Sequence, residues 1–183
     1  MTAQDATKTP NGKATPDALY EALDRLNIAY SVQHHPPVYT VAEAKELRGE
    51  IDGAHCKSLF LRNKKGAMWL VVCLEWRRME MKALSGLLGS GRLSFGSAER
   101  LAAHLGVIPG AVTPFAAIND RADQDGPLVQ VVLDAEMMRA PAVNFHPLVN
   151  NATVNLTPDG LRVFLEDCGH APLVLDLREA TAE

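Results

Sequence analysis

The chain has 183 residues, of which 47% are hydrophobic, 22% charged and 5% aromatic, and its net charge is −4. That length buries the core of one domain, and that balance excludes a disordered chain and a general nucleic-acid coat. The longest unbroken apolar run, residues 67–74, is too short to span a bilayer. The N-terminal residues are polar and lack the apolar core of a secretory leader, so a cytoplasmic protein without membrane contact is expected. Cys56, Cys73 and Cys168 are odd in number and far apart, with no C-x-x-C, which argues against a disulfide framework and a cysteine-based zinc site.

Residues 1–14 read as a flexible tail and residues 15–183 as the domain. Thr15 followed by Pro16 signals a helix start, and Leu19, Leu23 and Leu26 give that helix one apolar face. Residues 30–35 suit a strand ended by Pro36 and Pro37. Thr40 to Glu43 is a capping box, which predicts a second helix over 41–47. Residues 57–62 and 68–75 read as a hairpin at the centre of a sheet, turning at Lys64-Lys65-Gly66.

A short helix over 81–88, a strand over 92–95 and a helix over 98–105 capped by Ser97 follow. Residues 106–119 have no clean period and predict a structured loop or broken helix. Strands are expected over 129–133, 143–146, 153–156 and 172–177, with a helix opened by Thr157-Pro158, running through Asp167 and closed by Gly169. Without regular strand–helix alternation, the fold class is mixed α/β, of the α+β kind.

Charge is uneven. Residues 57–92 carry eight basic and two acidic side chains, net +6, and the remainder carries ten and twenty, net −10. A basic middle can mark a phosphate-binding face or a set of scattered solvated charges. The six histidines show no H-E-x-x-H or comparable ligand spacing, and no G-x-S-x-G elbow is present. Gly89-Ser90-Gly91-Arg92 is not a P-loop but could let Arg92 approach a phosphate. Residues 106–115 combine glycine, proline and small side chains, which suits backbone donors close to a ligand or a buried connection needing small residues. The turn from His146 to Thr153 gathers a histidine, two amides and a hydroxyl. It can serve a ligand or cap its own backbone.

Four stretches in order, Lys57-Ser58-Leu59-Phe60-Leu61, Gly89-Ser90-Gly91-Arg92-Leu93-Ser94-Phe95, residues 106–115 and residues 146–153, resemble the YbaK/prolyl-tRNA synthetase-associated editing domain. The likeness runs over about residues 17–177 and is greatest to the free-standing alanyl-tRNA(Pro) deacylases. The resemblance implies a single domain with a curved, mostly antiparallel sheet flanked by helices. It implies hydrolysis of mischarged Ala-tRNA(Pro) in trans, without metal or cofactor. Lys57, His146 and Gly110 would then be the catalytic positions. Asn150, Thr113, Pro114, Phe115 and Thr153 would bound the aminoacyl pocket. Arg92, Arg77, Arg78 and Lys82 would meet the tRNA.

The implied partners are the acceptor end of tRNA(Pro) and, as a candidate, prolyl-tRNA synthetase, with no DNA. Alternatives are a deacylase for cysteine or another small amino acid, and a non-catalytic tRNA-binding module of the same fold. The chemistry suits a site without a strong nucleophile, because an aminoacyl ester is already reactive and the neighbouring ribose hydroxyl can move a proton. Protein groups then position the ester, stabilise the oxyanion and orient a water. A second, smaller pocket is needed because a site for proline rejects alanine by only ~1–3 kcal/mol.

Overall fold

The computed structural model describes residues 12–37, 51–120 and 126–181. The expected helix over 41–47 and most of the expected tail lie outside them. Thr15 caps α1 (Pro16–Arg25) by accepting from the Ala18 N–H, and proline fills the first helical position, where no N–H is needed. Just before it, Lys13 Nζ donates to the Ala103 carbonyl at 2.7 Å and the Ala14 N–H to Asn119 Oδ1 at 2.8 Å. These two residues of the expected tail are held against the domain.

The strands are β1 (Tyr30–His34), β2 (Ala54–Asn63), β3 (Met68–Leu74), β4 (Leu93–Phe95), β5 (Val129–Asp134), β6 (Val143–Phe145), β7 (Ala152–Leu156) and β8 (Leu173–Leu175). Among the described residues they form one sheet in the order β1-β7-β6-β2-β3-β5-β8, with β4 beside β2. The β2–β3 hairpin is central, as expected. Four pairings are antiparallel. Three are parallel: β2 with β6, β3 with β5, and β5 with β8. The remaining α-helices among the described residues are α2 (Met81–Leu87), α3 (Ala98–Leu105) and α4 (Pro158–Asp167). The unperiodic stretch ends in a 3-10 helix, Pro114–Asn119. No helix of the described residues is long and apolar enough to cross a membrane.

Two cores explain the apolar pattern. Phe60, Leu70, Val72, Val131, Leu133, Phe145 and Val154 face one way, under α1, α3, α4 and the 3-10 helix. Leu61, Trp69, Val71, Cys73 and Val132 face the other, under α2 and the segment Leu177–Ala180. Residues of β3 alternate between these cores, so all seven are buried. A strand covered on both faces reads as a continuous apolar run. Burying each such side chain contributes about 1.5–3 kcal/mol.

In the first core Phe115 meets Phe145 and Phe164 edge to face, with centroids 6.0 and 5.4 Å apart. Such pairs add about 0.5–1.5 kcal/mol each beyond area. The second core takes no residue from β1, β6 or β7. On that half of the sheet the second face is polar.

Candidate active site

Cross-strand partners share a face. Register therefore places Ser31, Asn155, Asn144 and His55 in one row across β1, β7, β6 and β2. All four are polar, and they lie on the face that, among the described residues, the second core does not cover. Asn155 Nδ2 donates to Asn144 Oδ1 at 2.9 Å and to the Asp52 carbonyl at 2.8 Å. Asn144 Nδ2 donates to the same carbonyl at 3.0 Å. These amides stitch β6 and β7 to the entry of β2.

Lys57 lies two residues beyond His55 on the same face, opposite Cys73. Its ammonium donates to the Arg77 carbonyl. Continuing the parallel register of Ala54 with Val143 and His55 with Asn144 brings His146 level with Lys57. There the chain turns away. Leu148, buried and in the left-handed region at φ 68°, donates its N–H to the His146 carbonyl. A branched residue persists in that conformation only where its surroundings enforce it. Between His55 and Phe60 no strand of the described residues pairs with this edge of β2, and β4 joins only at Leu61. Lys57 therefore stands at an opening in the sheet, with the His146 turn at its mouth.

That turn is held from β1. His35 lies beside it, its N–H donating to the Asn151 carbonyl at 3.0 Å. His35 Nδ1 is 2.9 Å from the Pro36 carbonyl, so it carries a proton, and Nε2, 3.0 Å from Thr153 Oγ1, accepts in the neutral ring. His146 Nδ1 donates to the Ala152 carbonyl at 3.0 Å, and the two imidazoles are 6.2 Å apart. Asn150 is half-buried in the same turn. His146 and Thr153 thus come together around His35, Asn150 lies in the same turn, and Lys57 lies on β2 two residues past its last pairing with β6. His35, His55, Asn144 and Asn155 join them without having been singled out in the sequence. Only the strand end before Pro36 and the pairing of β1 with β7 would have marked His35.

Other expected site residues are placed differently. Thr113 and Phe115 are fully buried, with Pro114 between them. Thr113 caps the 3-10 helix and Phe115 packs against Phe145, the residue before His146. Phe115 therefore belongs to the first core, and all three side chains are buried instead of open to a ligand. Gly110 is exposed at φ 91°, with open space where a Cβ would stand. Its turn requires glycine for conformation, not for close approach.

Arg77 is 1% exposed, with Nε 2.7 Å from Asp134 Oδ2 and Nη2 2.6 Å from Glu136 Oε2. Burial opposes its charge, but the two carboxylates outweigh burial and hold its pKa above the ordinary value. No face remains for a phosphate. Arg78 and Lys82 are exposed. Arg92 is exposed but lies beyond the pairing of Leu93 with Asn63, six residues along β2 from Lys57. That is about 20 Å at strand rise, so Arg92 is remote from Lys57.

The nearby thiols are poor nucleophiles. Burial pushes Cys56 up to about 12 and Cys73 up to about 11, although Lys57 pulls Cys73 down. Among the described residues, no group of three or more His, Cys, Asp and Glu is arranged to hold a metal ion. A cavity of about 400 Å³, lined by Trp69, Leu128 and His170, lies elsewhere. Trp69 is four residues along β3 from Cys73, about 13 Å from the level of Lys57. The arrangement around Lys57 can anchor an anionic or hydroxylated ligand and orient it with imidazoles, amides and a hydroxyl.

A sequence model of the aminoacyl-tRNA editing domain matches residues 35–164. The prolyl-tRNA editing protein ProX of Acetoanaerobium sticklandii is 35% identical over 161 residues, covering 87% of this chain and 96% of that protein. Prolyl-tRNA synthetase associated domain-containing protein 1 of Xenopus laevis is 37% identical over 158 residues, covering 84% and 91%. Among solved structures, a proposed trans-editing enzyme for prolyl-tRNA synthetase superposes with a TM-score of 0.65 at 21% identity, over 91% of this chain and 97% of that one. At that identity the superposition speaks for the fold alone.

Proposed function

The chain belongs to the aminoacyl-tRNA editing domain family, and from that premise we propose that it is a trans-acting deacylase whose preferred substrate is alanyl-tRNA(Pro). Hydrolysis would release alanine and free tRNA after the synthetase has let go. One observation supports this reading of the site: the parallel pairing of His55 with Asn144 runs toward Lys57 on β2 and toward His146, just past the end of β6.

An ammonium has three donors. The Arg77 carbonyl takes one and fixes the direction of the other two. In this reading they hold the terminal phosphate or ribose of the tRNA, for which lysine acts as a point charge. The substrate's own ribose hydroxyl moves the proton. His146, Asn150 and the pair of Thr153 with His35 bound the aminoacyl group and orient the attacking water. No cysteine thiolate is needed, in keeping with the raised Cys56 and Cys73. The exposed Arg78 and Lys82 would meet the tRNA backbone, which predicts binding that weakens with salt.

The test is single-turnover deacylation of Ala-tRNA(Pro), Cys-tRNA(Pro) and Pro-tRNA(Pro). Alanine should be lost fastest and proline retained, and Lys57→Ala should slow the reaction by about 100-fold or more, as loss of an oriented charge does. A wild-type rate for Lys57→Ala would remove the anchor. Faster loss of cysteine would keep the mechanism and change the substrate.

A further inference from the structure

The two tryptophans are treated oppositely by the fold. Trp69 is 8% exposed within a core, whereas Trp76 is 66% exposed. Trp76 is the third residue of a tight turn, Leu74-Glu75-Trp76-Arg77, closed by the Arg77 N–H on the Leu74 carbonyl at 3.1 Å. The indole lies over the Arg77 guanidinium, whose carbon is 5.0 Å from the ring centroid. That guanidinium is clamped by Asp134 and Glu136, so the ring has a fixed floor. The Arg77 carbonyl in turn accepts from Lys57. One residue therefore joins an exposed aromatic platform to the expected anchor of the substrate, and the exposed Arg78 follows it.

We propose that the outward face of Trp76 stacks a nucleobase from the 3′ end of the tRNA, an assignment that rests on the editing reading above. A tRNA acceptor ends in an unpaired single strand, and unpaired bases are held on aromatic side chains. Stacking is tolerant of base identity, and is worth about five- to 150-fold in affinity per base. A ring already immobilised on Arg77 loses little freedom on binding.

The test has two arms. An uncharged acceptor-stem minihelix ending in CCA should quench tryptophan emission in the wild type and not in Trp76→Phe, whose remaining Trp69 is buried. The same minihelix trimmed of CCA should leave the emission unchanged. In single-turnover deacylation, Trp76→Ala should raise the half-saturating enzyme concentration about five- to 150-fold at an unchanged saturating rate. Trp76→Phe should recover most of that loss. Absence of quenching, equal quenching by the trimmed minihelix, or wild-type saturation in Trp76→Ala would each overturn the proposal. If the wild type deacylates none of the three aminoacyl-tRNAs, the editing reading falls, and the quenching arm still decides the fate of Trp76.

Discussion

The two halves of the sheet are built on opposite terms. In the β3–β5 half both faces are covered, and β3 is apolar at every position. In the β1–β7 half one face is core and the other is polar, so β7 alternates buried and half-buried residues. The covered half is bound to stability. Its neighbour can carry Thr153, Asn155 and, with β6, Asn144 without breaking a core. Lys57 lies on the seam between the halves, on β2. A site at such a seam takes rigidity from one side and polar groups from the other.

The largest expected effect tests the covered half. Arg77→Met keeps most of the side-chain volume but leaves Asp134, fully buried, without its cation. Removing one partner of a buried pair costs about 3–5 kcal/mol. Urea unfolding should show that loss, and Arg77→Met with Asp134→Leu should recover most of it. A single variant within about 1 kcal/mol of wild type would mean that Arg77 is not structural.

On the open half the balance should reverse. Thr153→Val removes the hydroxyl that His35 Nε2 holds. Stability should fall by only about 0.5–1.5 kcal/mol, the net worth of one hydrogen bond. Single-turnover deacylation should slow by roughly tenfold or more, because a small misplacement in a site is costly to the rate. A variant that loses stability and keeps its rate would break the contrast between the halves.

The same contrast explains what the sequence could tell. Thr15, Ser97 and Thr157 announce helix starts because a cap is local, and all three accept the expected N–H bonds. The apolar run at 67–74 marks a strand buried on both faces. Arg77 misleads because its carboxylates arrive on and just after β5, 57 and 59 residues away in sequence. As a result, a residue in a basic stretch becomes part of a core. Phe115 follows the same logic: a small-residue stretch serves a ligand or a core, and packing on Phe145 decides for the core, while Thr113 and Pro114 beside it are buried in turn. His35 stays hidden because Thr153 lies 118 residues on.

The smallest effect separates stability from catalysis by pH. His170 is 3% exposed, and its Nε2 lies 3.0 Å from the Asp120 carbonyl. Burial lowers its pKa below 6.5, although Asp120 pulls it the other way. The unfolded chain therefore takes up a proton at this position that the native state resists. Bound protons favour the unfolded state, so stability should decline as the pH falls through about 6.5. His170→Gln keeps a donor but does not titrate, and its urea midpoint should depend less on pH between 7 and 5. His170 lines the cavity beside Trp69, away from Lys57. The pH profile of single-turnover deacylation should consequently be the same in His170→Gln as in wild type. If the variant changed that profile and left the pH dependence of unfolding intact, His170 would belong to the chemistry of the open half, and the division between a supporting half and a working half would fail at this residue.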